Sequence, residues 1–345
     1  MPSPLNEALD RLLAGADLTE ALASEVLLAL TDPDCPPALA GAVLTALRMK
    51  GETAGEIRGF ARAMRGLARR PDVDVSEGLA DIVGTGGDGS GSPNLSTGTA
   101  LLAAACGVPV MKHGNRSVSS RSGSADVLEE LGMGLPLDEQ TAVRCLNATG
   151  FSFLFAPYYH PAMKSVAAVR GALGVRTVFN VLGPLTNPAE PPFGLIGAYS
   201  PDMAELMAEA LSGTNIERVY VVHGDPGWDE ATPVGPFQLF DVTPGRVERL
   251  VRDPLEWGLE RCRPEDLAGG DAEHNAARLR AVFSGEEAGA HRDALILGAA
   301  LVLELTGKAQ DPAEAVSLAV EALDSGKATE LLDAIARFAG SEGRR

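Results

Sequence analysis

The chain has 345 residues, 45% of them hydrophobic and 22% charged, a composition that excludes general disorder at a length suited to two domains. With 29 Lys+Arg against 47 Asp+Glu, the net charge is −18, which argues against a nucleic-acid or anionic-membrane binder, because either needs a basic face. An anionic ligand must therefore be held by a local cluster of cations or by a bridging metal.

The first 70 residues carry a helical period throughout. Leu5, Leu9, Leu12 and Leu13 share one face, and Leu18, Leu22, Val26 and Leu30 recur at i, i+4 on another. Pro36 and Pro37 open a third helix that ends at Lys50-Gly51, and Thr53 with Glu56 three residues on forms a capping box for a fourth. The segment 71–78 reads as a linker. From Leu79 the pattern changes to apolar strand candidates alternating with helices: 79–84, 108–111, 153–155, 195–198, 219–222 and 237–242. The expected class is α/β, with a small all-helical N-terminal domain over 1–76 and a larger domain over 77–345 built on a largely parallel sheet flanked by helices. The stretch 162–182 reads as helical, and a helical return near 162–190 is expected to complete the N-terminal domain. Four closing helices are expected at about 273–284, 289–306, 312–324 and 327–339.

Cys35, Cys106, Cys145 and Cys262 form no CxxC pair, so no zinc framework is visible and a reducing, cytoplasmic setting is expected. The N-terminal segment is acidic and lacks a long apolar stretch, so no signal peptide is expected. The longest apolar run, 294–303, is far short of a membrane span.

Three loops follow strand candidates, the place where open α/β sheets bind ligands. The first holds five glycines between Gly84 and Gly91, followed by Asn94, Ser96 and Thr97 at the start of an alanine-rich helix. Backbone N–H groups in such a loop, together with a helix N-terminus, make a concave anion site. No Walker lysine is present. Gly84-x-Gly86-x-x-Gly89 matches a dinucleotide fingerprint formally, but residues 98–111 contain no acid to take a ribose. The second loop, 112–132, offers Lys112, Arg116 and Arg121 among serines, a composition suited to a diphosphate. The third, 223–232, carries Asp229-Glu230; an adjacent acidic pair could bind a diphosphate through Mg²⁺.

Together these segments resemble the anthranilate phosphoribosyltransferase family. The matching runs are GTGGDG (84–89), NLST (94–97), KHGNRSVSSRSGSAD (112–126), FLFAPYYHPAM (153–163), VRGALGVRTVFNVLGPLTNP (169–188), GWDE (227–230), GGDAEHNA (269–276) and DSGKA (324–328). The resemblance covers nearly the whole chain. It implies a helical N-terminal domain beside an α/β domain, a substrate cleft between them, a homodimer, and transfer of the phosphoribosyl group of phosphoribosyl diphosphate to anthranilate with Mg²⁺ bound, in two ions. Carried over by position, Gly84, Gly87, Asp88, Ser92, Asn94, Leu95, Ser96 and Thr97 line the sugar diphosphate. So do Lys112, His113, Gly114, Asn115, Arg116, Ser117, Val118, Ser119, Ser120 and Ser124. Gly84, Asn115, His160 and Arg170 border anthranilate, and Ser96, Asp229 and Glu230 serve the metal. Lys112, His113 and Arg170 are the catalytic candidates. Three positions depart from the family pattern: Gly298, where Asn is frequent, Arg121 for Lys, and Trp228 before the acidic pair, which is expected to alter how that loop closes.

An aryl amine is neutral at pH 7 and needs no activating base, in keeping with a sequence that shows no nucleophile–base–orienter set. His113 or His160 is a candidate acceptor for the released proton, and Arg170 for pairing with the anthranilate carboxylate. Three other readings stay open: a nucleoside phosphorylase of the pyrimidine type, a phosphoribosyltransferase for another aromatic amine, and a non-catalytic relative that binds nucleic acid.

Overall fold

A computed structural model describes residues 3–76, 78–117 and 121–342. Four helices come first: α1 (Pro4–Leu13), α2 (Glu20–Leu30), α3 (Pro37–Lys50) and α4 (Ala54–Gly66). The capping box at α4 forms as its spacing predicts. The Glu56 N–H donates to Thr53 Oγ1 at 3.3 Å and the Thr53 N–H to Glu56 Oε2 at 2.8 Å. The core of this bundle is made by residues at helical spacing, among them Leu12, Val26, Leu30, Leu44, Leu47 and Phe60, all buried.

A seven-stranded sheet follows, in the order β3-β2-β1-β4-β5-β6-β7. Its strands are β1 (Ala80–Gly84), β2 (Val110–Gly114), β3 (Phe151–Phe155), β4 (Phe193–Gly197), β5 (Arg218–Gly224), β6 (Phe237–Thr243) and β7 (Arg246–Arg252). The first five are parallel, while β6 and β7 close one edge as an antiparallel hairpin. Between and after the strands lie α5 (Leu95–Ala105), α6 (Ser124–Glu130), α7 (Glu139–Thr149), α8 (Ala156–Tyr159), α9 (Lys164–Leu173), α10 (Phe179–Leu182) and α11 (Pro201–Ser212). The chain closes with α12 (Ala272–Phe283), α13 (Ala290–Leu305), α14 (Pro312–Asp324) and α15 (Lys327–Glu342).

The alternation of side chains along a strand splits the interior in two. Ile196, Ala198, Val219, Val221 and Phe240 face one core, shared with α1–α4 and α11. Leu195, Tyr220, Val222 and Leu239 face the other, shared with α5, α12, α13 and α15. The mid-chain return joins the first core through Val166, Phe179 and Leu182, and α9 packs on α3. This return is not the continuous helix expected over 162–182. Gly174 takes a left-handed conformation (φ 62°) and ends α9, and the chain resumes as the short α10.

Two departures from the family pattern have a packing account. Gly298 lets α13 lie against α5, because a Cβ there would collide with Thr99. Trp228 is buried in the second core, and its N–H and C=O both bond to Gly224, so it anchors the acidic loop. Among the described residues no helix is long and apolar enough to cross a membrane.

Candidate active site

β1, β2, β4 and β5 all end at one rim of the sheet, and the three loops of interest leave from that rim. Asp229 and Glu230 sit at its centre. Asp229 lies so close to both strand ends that a Cβ at Gly84 would collide with its carboxylate and one at Gly197 with its backbone. This explains why glycine ends both strands. Asp229 Oδ2 accepts the Gly86 N–H at 2.6 Å, and the Asp229 N–H donates to Asp88 Oδ2 at 3.1 Å. Glu230 Oε1 accepts the Ser96 N–H at 3.1 Å, in the first turn of α5. Glu230 Oε2 is buried without a hydrogen-bond partner among the described residues.

Asp229 and Glu230 are thus adjacent and shielded from solvent, with the half-buried Asp88 bonded to the Asp229 N–H. Burial, with Glu230 and Asp88 adjacent, holds Asp229 well above the usual carboxylate range. Burial also pushes Glu230 to about 7. Lys112, on β2, lies beneath them and is itself buried; its Nζ donates to the Ile82 carbonyl and to Ser96 Oγ at 3.3 Å. Burial lowers its pKa, while Asp81, Glu230 and Asp229 oppose that shift. Three acids against one cation form a site short of positive charge. A cavity of about 30 Å³ opens beside Gly84, Ser96, Asp229 and Glu230. Among the described residues no three metal-ligating side chains converge. The donor set therefore suits Mg²⁺, which takes one or two carboxylates and fills its shell with water and phosphate oxygens. The partnerless Glu230 oxygen is the observation that fits such an ion.

The glycine loop is fixed from two sides. Asn94, left-handed at φ 56°, starts α5, and its side chain is fully engaged. Its Oδ1 accepts from Ser122 Oγ and Asn275 Nδ2, both at 2.8 Å, and its Nδ2 donates to the Ser122 carbonyl at 3.2 Å. Asn275, buried on α12, also bonds Ser122 Oγ at 2.9 Å and the Gly270 N–H at 2.7 Å. On the other side Arg176 donates to the Gly87 carbonyl and stacks on Tyr199 at 4.0 Å. Asn275 and Arg176 were not singled out from sequence, although each lies in a run that carries the resemblance. Asn275→Ala is expected to cost about 2 kcal/mol in denaturant unfolding, since it strands buried polar partners. It is also expected to raise the KM for the phosphate-bearing substrate severalfold.

His113, next to Lys112, donates its Nδ1–H to the Gly183 carbonyl at 3.1 Å and meets His160 edge-on at 5.1 Å between ring centroids. Burial, then His160, pushes His113 down to about 3, and burial pushes His160 down to about 4. Both are neutral at pH 7 and weak as bases. Behind them Asp81, raised to about 6 by burial, accepts the His113 N–H at 3.1 Å and the Asn187 amide at 2.9 Å. This deep pair was also missed from sequence.

Other sequence candidates lie apart from this centre. Arg116 is drawn onto α6, pairing with Asp126 at 2.9 Å and Glu129 at 2.5 Å. Asn115 is exposed and accepts the Arg116 N–H at 2.7 Å, and Ser124 Oγ donates to the Asn115 carbonyl at 3.2 Å. The Ser117 N–H donates to Asp126 at 3.2 Å. Val118, Ser119 and Ser120 fall outside the described residues. Arg170, on α9, stacks over Phe179 at 5.0 Å. It makes no ion pair among the described residues, and burial lowers its pKa.

A doubly flanked sheet thus carries a glycine-rich loop and an acidic pair at its carboxyl rim, beside a helical bundle. Residues 76–329 match the α/β domain of a glycosyl transferase family, and residues 6–68 match that family's helical bundle domain. The chain is 47% identical to the anthranilate phosphoribosyltransferase of Desulforudis audaxviator, over 97% of this chain and 96% of that protein. Its fold superposes on the crystal structure of the Thermus thermophilus enzyme of that name with a TM-score of 0.91 and 44% identity, covering 98% and 99% of the two chains. The Saccharomyces cerevisiae enzyme in complex with PRPP and Mg gives a TM-score of 0.90 at 27% identity, covering 99% of each. The chain belongs to the anthranilate phosphoribosyltransferase family.

Proposed function

We propose that this protein joins the amine of anthranilate to C1 of phosphoribosyl diphosphate, releasing diphosphate, as a Mg²⁺-dependent step in tryptophan biosynthesis. The observation that carries the reading is the buried Asp229–Glu230 pair. It is held by N–H groups of the glycine loop and of α5, with one carboxylate oxygen left without a hydrogen-bond partner among the described residues. When bound, Mg²⁺ supplies positive charge to the leaving diphosphate. Asp229, Glu230 and Ser96 would hold it, with two ions as the stoichiometry we favour.

In this reading the glycine loop, Asn94–Thr97 and the 112–124 loop hold the sugar diphosphate. Lys112 acts from beneath as a fixed counter-charge rather than as a phosphate ligand, because its Nζ is engaged within the protein. As the C1–O bond breaks, its electron pair leaves with the diphosphate and the amine nitrogen bonds to C1. Preorganised N–H dipoles and cations favour that charge separation. The new aryl-ammonium is acidic enough to lose its proton to water. His113 and His160, both neutral, wall the acceptor pocket in place of the proton-accepting role read from sequence. Arg170 takes the anthranilate carboxylate. We further propose two units, 1–76 with its return near 162–190 and 77–345, paired in a cytoplasmic homodimer.

The test is the decay of anthranilate fluorescence on adding phosphoribosyl diphosphate, with Mg²⁺ and with chelator. Mg²⁺-dependent decay is expected; no decay by folded protein would redirect the reading to another acceptor.

A further inference from the structure

At the opposite end of the sheet, where β4 and β5 begin, lies a cavity of about 230 Å³ between α4, the C-terminal end of α11 and the 184–191 segment. Its apolar wall includes Leu185, Phe193, Ile196, Leu211, Ile216 and Val219. The α4 side presents Arg58, Arg62 and Arg65, one face at helical spacing. Arg58 and Arg62 share Glu20, at 3.0 and 2.8 Å. Glu190 pairs with Arg70, and Asp81 is engaged by Asn187 and the His113 N–H. Arg65 is different. Its Nη1 donates to the Leu185 carbonyl at 3.1 Å, and among the described residues it meets no acid. Burial, and Arg70 nearby, lower its pKa.

We propose that this cavity is a binding site, separate from the substrate cleft, for a small organic carboxylate with an apolar body. A partly desolvated guanidinium without a counter-charge, at the edge of a half-apolar cavity, is what such a ligand complements. The lining carries Arg58, Arg62 and Arg65 against Glu20, Asp81 and Glu190, and each of those acids is already engaged within the protein, which leaves Arg65, among the described residues, as the lining cation without one. The site also has a route to the chemistry. Leu185 belongs to the turn whose Gly183 carbonyl meets His113 Nδ1 and whose Asn187 side chain bonds Asp81 and the Met111 carbonyl. A ligand that draws Arg65 into the cavity loosens its hold on that turn, and so biases the wall of the acceptor pocket.

The probe is 4-methylpentanoate, titrated calorimetrically into full-length protein carrying Arg170→Gln, which removes the guanidinium proposed above to take the anthranilate carboxylate. Saturable one-to-one binding in the millimolar range, about −4 kcal/mol, is expected. Arg65→Gln should weaken it at least about tenfold, and Ile216→Trp, which fills the cavity with Arg65 in place, should do the same. Absence of saturable binding, or binding indifferent to both changes, overturns the proposal. Ile216→Trp decides the matter if the Arg65 variant fails to fold. In the otherwise unaltered enzyme the probe should change the KM for anthranilate and spare that for phosphoribosyl diphosphate. This last readout rests on the function proposed above, whereas the titration does not.

Discussion

Glu230→Gln is expected to lower turnover at limiting Mg²⁺ by about 100-fold or more, while making the metal-free protein more stable at pH 8. Both effects have one cause. The Glu230 carboxylate is shielded from solvent beside Asp229 and Asp88, and its Oε2 has no hydrogen-bond partner among the described residues. The folded protein therefore holds a proton there up to about pH 7, against 4.5 for the ordinary group. A carboxyl whose folded pKa is raised contributes stability that is fully present below the unfolded value and is lost as pH rises through the folded one. The loss runs at up to about 1.4 kcal/mol per pH unit between those limits. Glutamine cannot ionise, so the variant's thermal midpoint should lie above the parent's at pH 8, with the gap closing as pH falls below the unfolded value of 4.5. Mg²⁺ should stabilise the parent more at pH 8 than at pH 5, because it supplies the missing countercharge. A parent whose midpoint ignores both pH and Mg²⁺ would show that the acidic pair is no cation site.

The rim was legible because its signals are local. Glycines packed into 84–91, a polar start to an alanine-rich helix, and an acidic pair after an apolar run each announce themselves within ten residues. Five of the six expected strands also stood out as apolar runs ending in turns, and the sixth, β6, was found without its direction. β7 was missed because it is an edge strand. RVERLVR exposes most of its residues and carries charges on both faces, which blunts an edge but erases the alternation of a half-buried strand. The illegible parts of the site are those made by distant residues. Asp81 and Asn187 are 106 positions apart, and no spacing rule joins them. Arg116 looked like a phosphate cation in a loop of serines, yet Glu129 on α6 takes its guanidinium. Sequence shows that a charge exists, and only the fold shows which neighbour claims it. The same holds for His113: its residue type suggested a base, and only the fold shows that burial and His160 lower its pKa.

Arg170→Ala is expected to raise the KM for anthranilate about 10- to 100-fold, the worth of a charge-assisted bidentate contact, with the KM for phosphoribosyl diphosphate changed by no more than about twofold. Arg170 is the guanidinium on α9 that burial disfavours and that no acid among the described residues balances. A structural ion pair would have supplied that acid. Stacking on Phe179 at 5.0 Å holds the plane of the side chain without neutralising it. Removing an unbalanced, partly buried cation should leave folding stability unchanged or slightly higher, whereas removing half of an ion pair would lower it. Arg170→Lys should recover charge but not the planar fork, and so fall between parent and alanine variant in anthranilate KM. Three measurements then separate the roles: two KM values and one unfolding curve. If both KM values rise together, Arg170 shapes the cleft as a whole. If stability falls by several kcal/mol with the anthranilate KM unchanged, the residue belongs to the bundle and the carboxylate must be held elsewhere.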